Sequence, residues 1–113
     1  MKNKLFNITA LVLIFGTNVT SAASGRVTIF TPMDGAIIST KDAIKLNYEA
    51  DAGKSGDHLH LNVDGQLKEI ITNLKGTAQL SPLAPGKHKI CLAVSTKGHS
   101  TTGTESCLNV IAE

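Results

Sequence analysis

Short runs of alternating apolar and polar residues, separated by glycine, proline and aspartate, dominate the chain after residue 23. In the segment His58-Leu-His-Leu-Asn-Val63, the two leucines and the valine occupy every second position. A period of two places such residues on one face of a β-strand, whereas an amphipathic helix needs a period of about 3.6 residues. No convincing helical period follows residue 23. The pattern therefore predicts an all-β protein.

The spacing of these runs predicts a β-sandwich of seven short strands. Asp64-Gly65 suits a tight hairpin because both residues tolerate positive φ, and Pro85-Gly86 forces another turn. Strands at this spacing are typical of a small immunoglobulin-like or fibronectin-III-like sandwich with Greek-key connections. We predict strands at residues 27–30, 43–50, 58–63, 66–71, 76–80, 88–94 and 105–111.

Alternation also predicts which side chains form the core between the two layers. Phe30 and Tyr48 are expected to be core residues, which leaves no aromatic platform for stacking on a carbohydrate. The other residues that we expect to face inward are Ile44, Leu46, Leu59, Leu61, Val63, Ile90, Leu92, Val94, Leu108 and Val110.

Two cysteines lie on the last predicted hairpin. Opposed residues of an antiparallel pair have positions with a constant sum, so a hairpin centred on His99 places Cys91 opposite Cys107. Both then point outward, because Ile90 and Leu92 point inward. A disulfide is the simplest interpretation and is worth about 3 kcal/mol in the chain-entropy model. Metal ligation and redox work are the alternatives, although no C-x-x-C motif occurs.

The N-terminal residues 1–23 have the order of a secretory signal peptide. Lys2 and Lys4 precede a mostly apolar stretch at 5–15, and small residues follow, with cleavage after Ala22 or Ala23. The apolar stretch is shorter than the ~20 residues that span a bilayer, although a retained anchor is the alternative. We therefore expect a periplasmic or secreted domain at residues 24–113, with no membrane span.

The charge of the mature part excludes some partners. The chain has 11 Lys+Arg and 9 Asp+Glu, and Lys2 and Lys4 belong to the signal peptide. The remainder is formally neutral. Nucleic acids and anionic membranes both require a basic surface, so neither is expected as a partner.

The histidines carry the main chemical prediction. His58 and His60 share one face of their strand, about 7 Å apart, so both can reach one ion. The third and sixth strands of such a sandwich are neighbours, so His99, in the loop after the sixth, can approach them. Asp57 is a further oxygen ligand or an acceptor behind a histidine. Three imidazoles suit zinc or oxidised copper.

A structural interpretation of each histidine stands beside this one. Outward histidines on a sheet can be solvated, or can brace a neighbouring loop through hydrogen bonds. His88 begins its strand at a core position, and we expect its ring to pack against the turn Ala84-Pro85-Gly86.

These residues also carry a resemblance to a family. Gly56-Asp-His-Leu-His-Leu61, Leu83-Ala-Pro-Gly-Lys-His-Lys-Ile90 and His99 resemble a family of exported bacterial domains of unknown function. Those domains have a G-H-H-H-L-like strand and an L-x-P-G-x-H turn. The resemblance covers roughly residues 56–112 and implies an immunoglobulin-like fold in the periplasm, without an activity. Asp57, where a histidine is common, and the two cysteines depart from that pattern.

Two classes of function remain after this reasoning. One is a protein that binds a metal through His58, His60 and His99, and the other is a module that binds another envelope protein without a metal. An enzyme is disfavoured, because no nucleophile elbow, H-E-x-x-H motif or paired carboxylates occur. No catalytic residue is assigned.

Overall fold

The computed structural model describes residues 25–113, so the predicted signal peptide lies outside the described residues. This part of the chain is all-β and contains no helix that could cross a membrane. Its strands are β1 Arg26–Thr31, β2 Ala36–Ile38, β3 Ile44–Asp51, β4 His58–Val63, β5 Gln66–Ile71, β6 Lys75–Leu80, β7 Gly86–Ser95 and β8 Thr101–Ala112.

The strands form two packed sheets, which confirms the predicted immunoglobulin-like sandwich. The smaller sheet has the order β1-β3-β6 and the larger has the order β2-β8-β7-β4-β5. Each of the seven predicted strands is present. The additional strand, β2, is three residues long and pairs in parallel with β8. Its three residues, Ala-Ile-Ile, are all apolar and show no alternation of apolar and polar side chains, so the sequence pattern did not reveal β2.

The core lies between the sheets and contains the predicted inward residues. Leu46, Leu59, Leu61, Ile90, Leu92, Val94 and Val110 are fully buried. Tyr48 is buried too, and its hydroxyl donates to the carbonyl of Asn73 at 2.8 Å. The prediction for Phe30 is wrong, because its side chain is 52% exposed. It is an apolar residue at an outward position of β1, whose half-buried residues are Val27 and Ile29.

The last hairpin confirms the predicted disulfide. Cys91 and Cys107 are directly opposed on β7 and β8, and a disulfide of 2.08 Å joins them. The predicted register holds as far as Ala93↔Glu105, and then shifts to Ser95↔Thr101. The extra residues of β8 form a bulge opposite Val94. The loop between the strands is therefore short, spanning 96–100.

The predicted turn at Asp64-Gly65 closes the β4–β5 hairpin. Both residues have positive φ, 52° and 83°. The Asp64 amide donates to the carbonyl of Lys89 at 2.8 Å, and its Oδ1 accepts from the amide of Lys89, also at 2.8 Å. The turn is thus joined to the neighbouring strand β7. Gly86, at the start of β7, has φ 126°, which explains a glycine after Pro85.

Candidate metal centre

Three histidines meet at one end of the larger sheet. His58 and His60 project from the outer face of β4, and β4 pairs with β7 so that His58 lies opposite Ser95. The loop at 96–100 begins directly after Ser95, which brings His99 beside the other two rings. The predicted adjacency of these strands is confirmed.

The three rings converge on a small volume. His58 Nε2 lies 3.1 Å from His60 Nε2, and His60 Nε2 lies 3.3 Å from His99 Nδ1. The ring centroids of His58 and His99 are 4.6 Å apart. One ligand nitrogen from each histidine falls within a common spread of 4.8 Å. Each ring thus presents one nitrogen toward the others.

Backbone hydrogen bonds hold the loop that carries His99. The amide of Thr96 donates to the carbonyl of Ser100 at 2.8 Å, and the amide of His99 donates to the carbonyl of Thr96 at 2.9 Å. The hydroxyl of Thr96 accepts from the amide of Ser100 at 3.0 Å. His99 itself has φ 67°, in the left-handed region that non-glycine residues rarely occupy.

Burial decreases across the cluster. His58 is 4% exposed, His60 is half-buried and His99 is exposed. The loop thus covers His58 while the side nearest His99 opens to solvent. A bound ion would be anchored deeply by one imidazole and would keep an accessible coordination position, as catalytic and exchangeable sites do.

Asp57 lies behind the cluster, on the far nitrogen of His58. His58 Nδ1 donates to Asp57 Oδ2 at 2.9 Å, and the amide of Asp57 donates to the carbonyl of Ser95 at 2.8 Å. A carboxylate that accepts from Nδ1–H leaves Nε2 of a neutral imidazole with its lone pair. Of the two roles predicted for Asp57, the geometry is that of an acceptor orienting a ligand, since its carboxylate lies outside the three-nitrogen group.

The protonation of His60 favours its neutral form. Partial burial, His58 and His99 together hold the pKa of His60 below its ordinary value of 6.5, burial having the largest effect. Its Nε2 is approached by two nitrogens, yet one ring nitrogen offers only one hydrogen or one lone pair. The two contacts of His60 Nε2 must therefore share a single hydrogen or lone pair, which leaves at least one of them a weak hydrogen bond.

A metal ion would resolve this arrangement. Ligands at ~2.0–2.1 Å from a tetrahedral ion lie about 3.3–3.4 Å apart, close to the observed nitrogen separations. Zinc and copper both accept three imidazoles, with water or another ligand in the remaining position. The donor set of His58, His60 and His99 thus fits these ions.

His88 is remote from the cluster and has a structural environment. Its Nδ1 donates to Asp64 Oδ2 at 2.6 Å and its Nε2 donates to the carbonyl of Ala84 at 2.7 Å. Both ring nitrogens therefore face acceptors, an arrangement suited to the imidazolium. These bonds, above all the one that Asp64 accepts, raise the pKa of His88 above 6.5. The same bond is the main cause that lowers the pKa of Asp64. The ring joins the β4–β5 turn to the segment before Pro85.

Some residues that shape the site were not singled out from the sequence. Thr96 and Ser100 fix the loop, and the buried hydroxyl of Ser95 donates to the carbonyl of Ser100 at 3.3 Å. The hydroxyl of Thr102 donates to the carbonyl of Val94 at 3.0 Å, so this carbonyl at the bulge has a hydrogen-bond partner. The only signal for these roles in the sequence was the serine- and threonine-rich composition around His99.

A cleft in the described part of the chain lies away from the histidines. It has a volume of about 390 Å³ and is lined by residues that include Val63, Glu69 and Leu83. Val63 ends β4, whereas His58 begins it. The candidate metal centre is therefore a surface site rather than the floor of this cleft.

Comparison with known proteins defines the fold. No protein-family model matches the chain, and no curated protein matches it. Among solved structures, a fibronectin(III)-like module of CbhA from Clostridium thermocellum is 13% identical, with a TM-score of 0.64. The match covers 77% of this chain and 95% of that module.

Two further solved structures are similar. The CARDB domain of a Pyrococcus furiosus protein, in complex with di-metal ions, is 13% identical with a TM-score of 0.56, over 86% of this chain and 95% of that domain. A lytic polysaccharide monooxygenase from Jonesia denitrificans is 19% identical with a TM-score of 0.53, over 73% of this chain and 60% of that enzyme. At such identities the likeness defines an immunoglobulin-like sandwich and no activity.

Proposed function

We propose that this chain is an exported, non-catalytic domain that binds a copper or zinc ion through His58, His60 and His99. The observation that carries the proposal is the convergence of three imidazole nitrogens, with separations of 3.1 Å and 3.3 Å. Their spacing fits a shared ion better than it fits mutual hydrogen bonds, because His60 Nε2 has only one hydrogen or one lone pair to share between two neighbours.

The backbone of His99 gives independent support. A left-handed conformation costs a residue with a Cβ about 1–2 kcal/mol, and glycine would avoid that cost. The chain has a glycine at the adjacent position 98, yet a histidine occupies position 99, where φ is positive. Unfavourable backbone conformations of this kind concentrate where a side chain has a function.

Other features support the proposed location and class. The Cys91–Cys107 disulfide suits an oxidising compartment, as does the predicted signal peptide. The Pyrococcus furiosus CARDB domain was solved with di-metal ions, so a sandwich of this architecture is compatible with metal binding. The family of exported bacterial domains that the sequence resembles remains a prediction.

Isothermal titration of the purified, metal-free protein with Cu²⁺ and with Zn²⁺ tests the proposal. We expect one ion per chain, and we expect His60→Ala to abolish tight binding because His60 Nε2 lies between the other two nitrogens. His88→Ala is the matched control, since it removes an imidazole outside the cluster. Equal affinity of the wild-type protein and of the His60→Ala variant would overturn the proposal.

A non-catalytic protein-interaction module is the second candidate. It is favoured by two exposed apolar side chains of β5 on the outer face of the larger sheet, Leu67 and Ile70. Ile70 is opposite His60, so this apolar surface adjoins the histidines. Crosslinking in envelope extracts tests it: a partner captured by the wild-type protein should be lost in Leu67→Ser/Ile70→Ser.

A further inference from the structure

A second group of potential ligands lies on the outer face of the larger sheet. Sγ of Cys91, Sγ of Cys107 and a carboxylate oxygen of Glu105 all lie within 4.8 Å of one another. Cys91 is half-buried, while Glu105 and Cys107 are exposed, so solutes reach this group. Cys91 lies opposite Asn62, whereas Glu105 lies in the same row as His60, with Ala93 of β7 between them. The two groups therefore share the outer face but have different ligands.

The backbone holds the two cysteines opposite each other independently of the disulfide. The neighbouring pairs Ile90↔Leu108 and Leu92↔Ser106 belong to the same β7–β8 ladder. Ile90, Leu92 and Leu108 are buried in the core, so this register is fixed by packing. Loss of the bridge costs about 3 kcal/mol, which is less than the 5–15 kcal/mol of a typical domain. Two free thiols would therefore still face one another.

We propose that reduction of the Cys91–Cys107 disulfide creates a second metal site, in which two thiolates and the Glu105 carboxylate bind a thiophilic divalent ion such as zinc. A dithiol supplies two electrons and two protons, so the S–S bond becomes two thiols while the dithiol closes to its own disulfide. The ion then displaces both thiol protons and forms two metal–sulfur bonds. Water completes the coordination.

The surroundings suit such an ion. Glu105 lies two residues before Cys107 on the same face of β8, and its cross-strand neighbour is Ala93, whose small side chain leaves space for an ion. Lys89 lies two residues before Cys91 on the outer face of β7, where it offsets the negative charge of the ligands. Sulfur and carboxylate ligands are those that zinc accepts.

Cobalt titration of the reduced protein tests the second site. The purified full-length protein is reduced with dithiothreitol, desalted without oxygen and titrated with Co²⁺, whose bonds to thiolates give charge-transfer absorption in the near ultraviolet. We expect this absorption to saturate at one equivalent of Co²⁺ in the reduced His60→Ala protein, and at up to two equivalents in the reduced wild-type protein, where the three histidines can bind a second ion. It should be absent in the oxidised protein and in Cys91→Ser/Cys107→Ser.

Two further variants separate this proposal from the histidine site. His60→Ala should keep the thiolate–cobalt absorption, whether or not the three histidines bind metal. Glu105→Gln should weaken it by roughly tenfold or more, since even groups outside the coordination sphere act on that scale. No thiolate–cobalt absorption after reduction would overturn the proposal, as would circular dichroism showing that the reduced protein has lost its β-structure with and without cobalt.

Discussion

At the scale of single residues, the candidate metal centre depends on how each imidazole is oriented. His58 is held by the carboxylate of Asp57, which accepts from Nδ1–H and leaves the lone pair of Nε2 facing His60. His99 is held by its backbone, which adopts φ 67° within a hydrogen-bonded loop. A side-chain hydrogen bond therefore orients the ligand on the strand, and a backbone conformation orients the ligand in the loop.

Asp57→Asn tests the orienting role of the carboxylate. We expect metal affinity to fall about 10- to 100-fold while the fold is kept, because an amide is a weaker acceptor for the Nδ1–H of His58. Calorimetric titration of both proteins measures the difference. Asp51→Asn, a nearby exposed carboxylate in β3, is the control and should bind as the wild type does. Unchanged affinity in Asp57→Asn would show that His58 needs no such partner.

His99→Gly should separate stability from binding. Relief of the left-handed backbone should raise the free energy of unfolding of the metal-free protein by up to about 1 kcal/mol. The same change removes a ligand, so metal affinity should fall. Urea unfolding and titration of one preparation measure both effects. A variant that loses stability without metal would contradict the argument from the backbone.

The His88–Asp64 pair should make stability depend on pH with a predictable sign. The pKa of His88 is raised above 6.5 in the folded protein, so its contribution is complete below pH 6.5 and is lost as pH rises through the folded pKa. The pKa of Asp64 is lowered from 3.8, so its contribution is lost as pH falls below that value. The stability difference between wild type and His88→Gln should therefore be greatest between these values and shrink at alkaline pH. A difference that grew with pH would refute this assignment.

At the scale of secondary-structure elements, two irregularities place the site. The shift in register between β7 and β8 shortens the loop at 96–100. The ring of His99 in this loop lies 4.6 Å from the ring of His58. On the other side, the chain enters β4 through Gly56, next to Asp57. A Cβ built on Gly56 would collide with the carbonyl of Ala52 and with Val94. The entrance to the strand is thus packed too closely for any other residue.

Gly56→Ala should therefore destabilise the protein. Overpacking against backbone usually costs 1–3 kcal/mol, and we expect about 2 kcal/mol or more here, because the carbonyl of Ala52 is backbone and cannot rotate away. Gly98→Ala is the matched control, as its nearest neighbour would be 4.0 Å from the new Cβ and its φ is not in the left-handed range. Thermal unfolding of the two variants gives the comparison. Equal midpoints would mean that the segment before β4 adapts freely.

At the scale of the whole molecule, a small core and one covalent bridge hold the sandwich together. The larger sheet carries the disulfide, His58 and His60 on its outer face, with His99 in the loop after β7, and it contributes buried residues to the core from its inner face. Because strand residues alternate between faces, these groups on the strands do not replace apolar side chains in the core. The histidine site thus lies apart from the core, whereas the cysteines of the proposed second site also form the stabilising bridge.

Cys91→Ser/Cys107→Ser should lower the free energy of unfolding by about 3 kcal/mol without changing the fold. The physical reason is the greater conformational freedom of the unfolded chain, so the folded β-ladder is kept. Urea unfolding, with circular dichroism of the native state, measures both quantities. Comparison with the oxidised and reduced wild-type protein is the control. If reduction left the free energy of unfolding of the wild-type protein unchanged, the bridge would have no stabilising role.

Alternation in the sequence determined the seven longer strands, the inward residues of β3, β4, β7 and β8, and the pairing of Cys91 with Cys107. These follow from a local rule, because side chains two apart on a strand share a face. The same rule placed His58 and His60 together. At Phe30 apolar character predicts burial, whereas its place next to the half-buried Ile29 on β1 directs the side chain outward.

Only the tertiary structure decided the features that depend on contacts between distant segments. These are the parallel pairing of β2 with β8, the register shift opposite Val94, the burial of His58 beneath the loop at 96–100, and the position of Asp57 on its far nitrogen. None has a periodic signature, since each arises where one segment packs against another that is remote in sequence. The separation of His60 Nε2 and His99 Nδ1, 3.3 Å across 39 positions, is the clearest case.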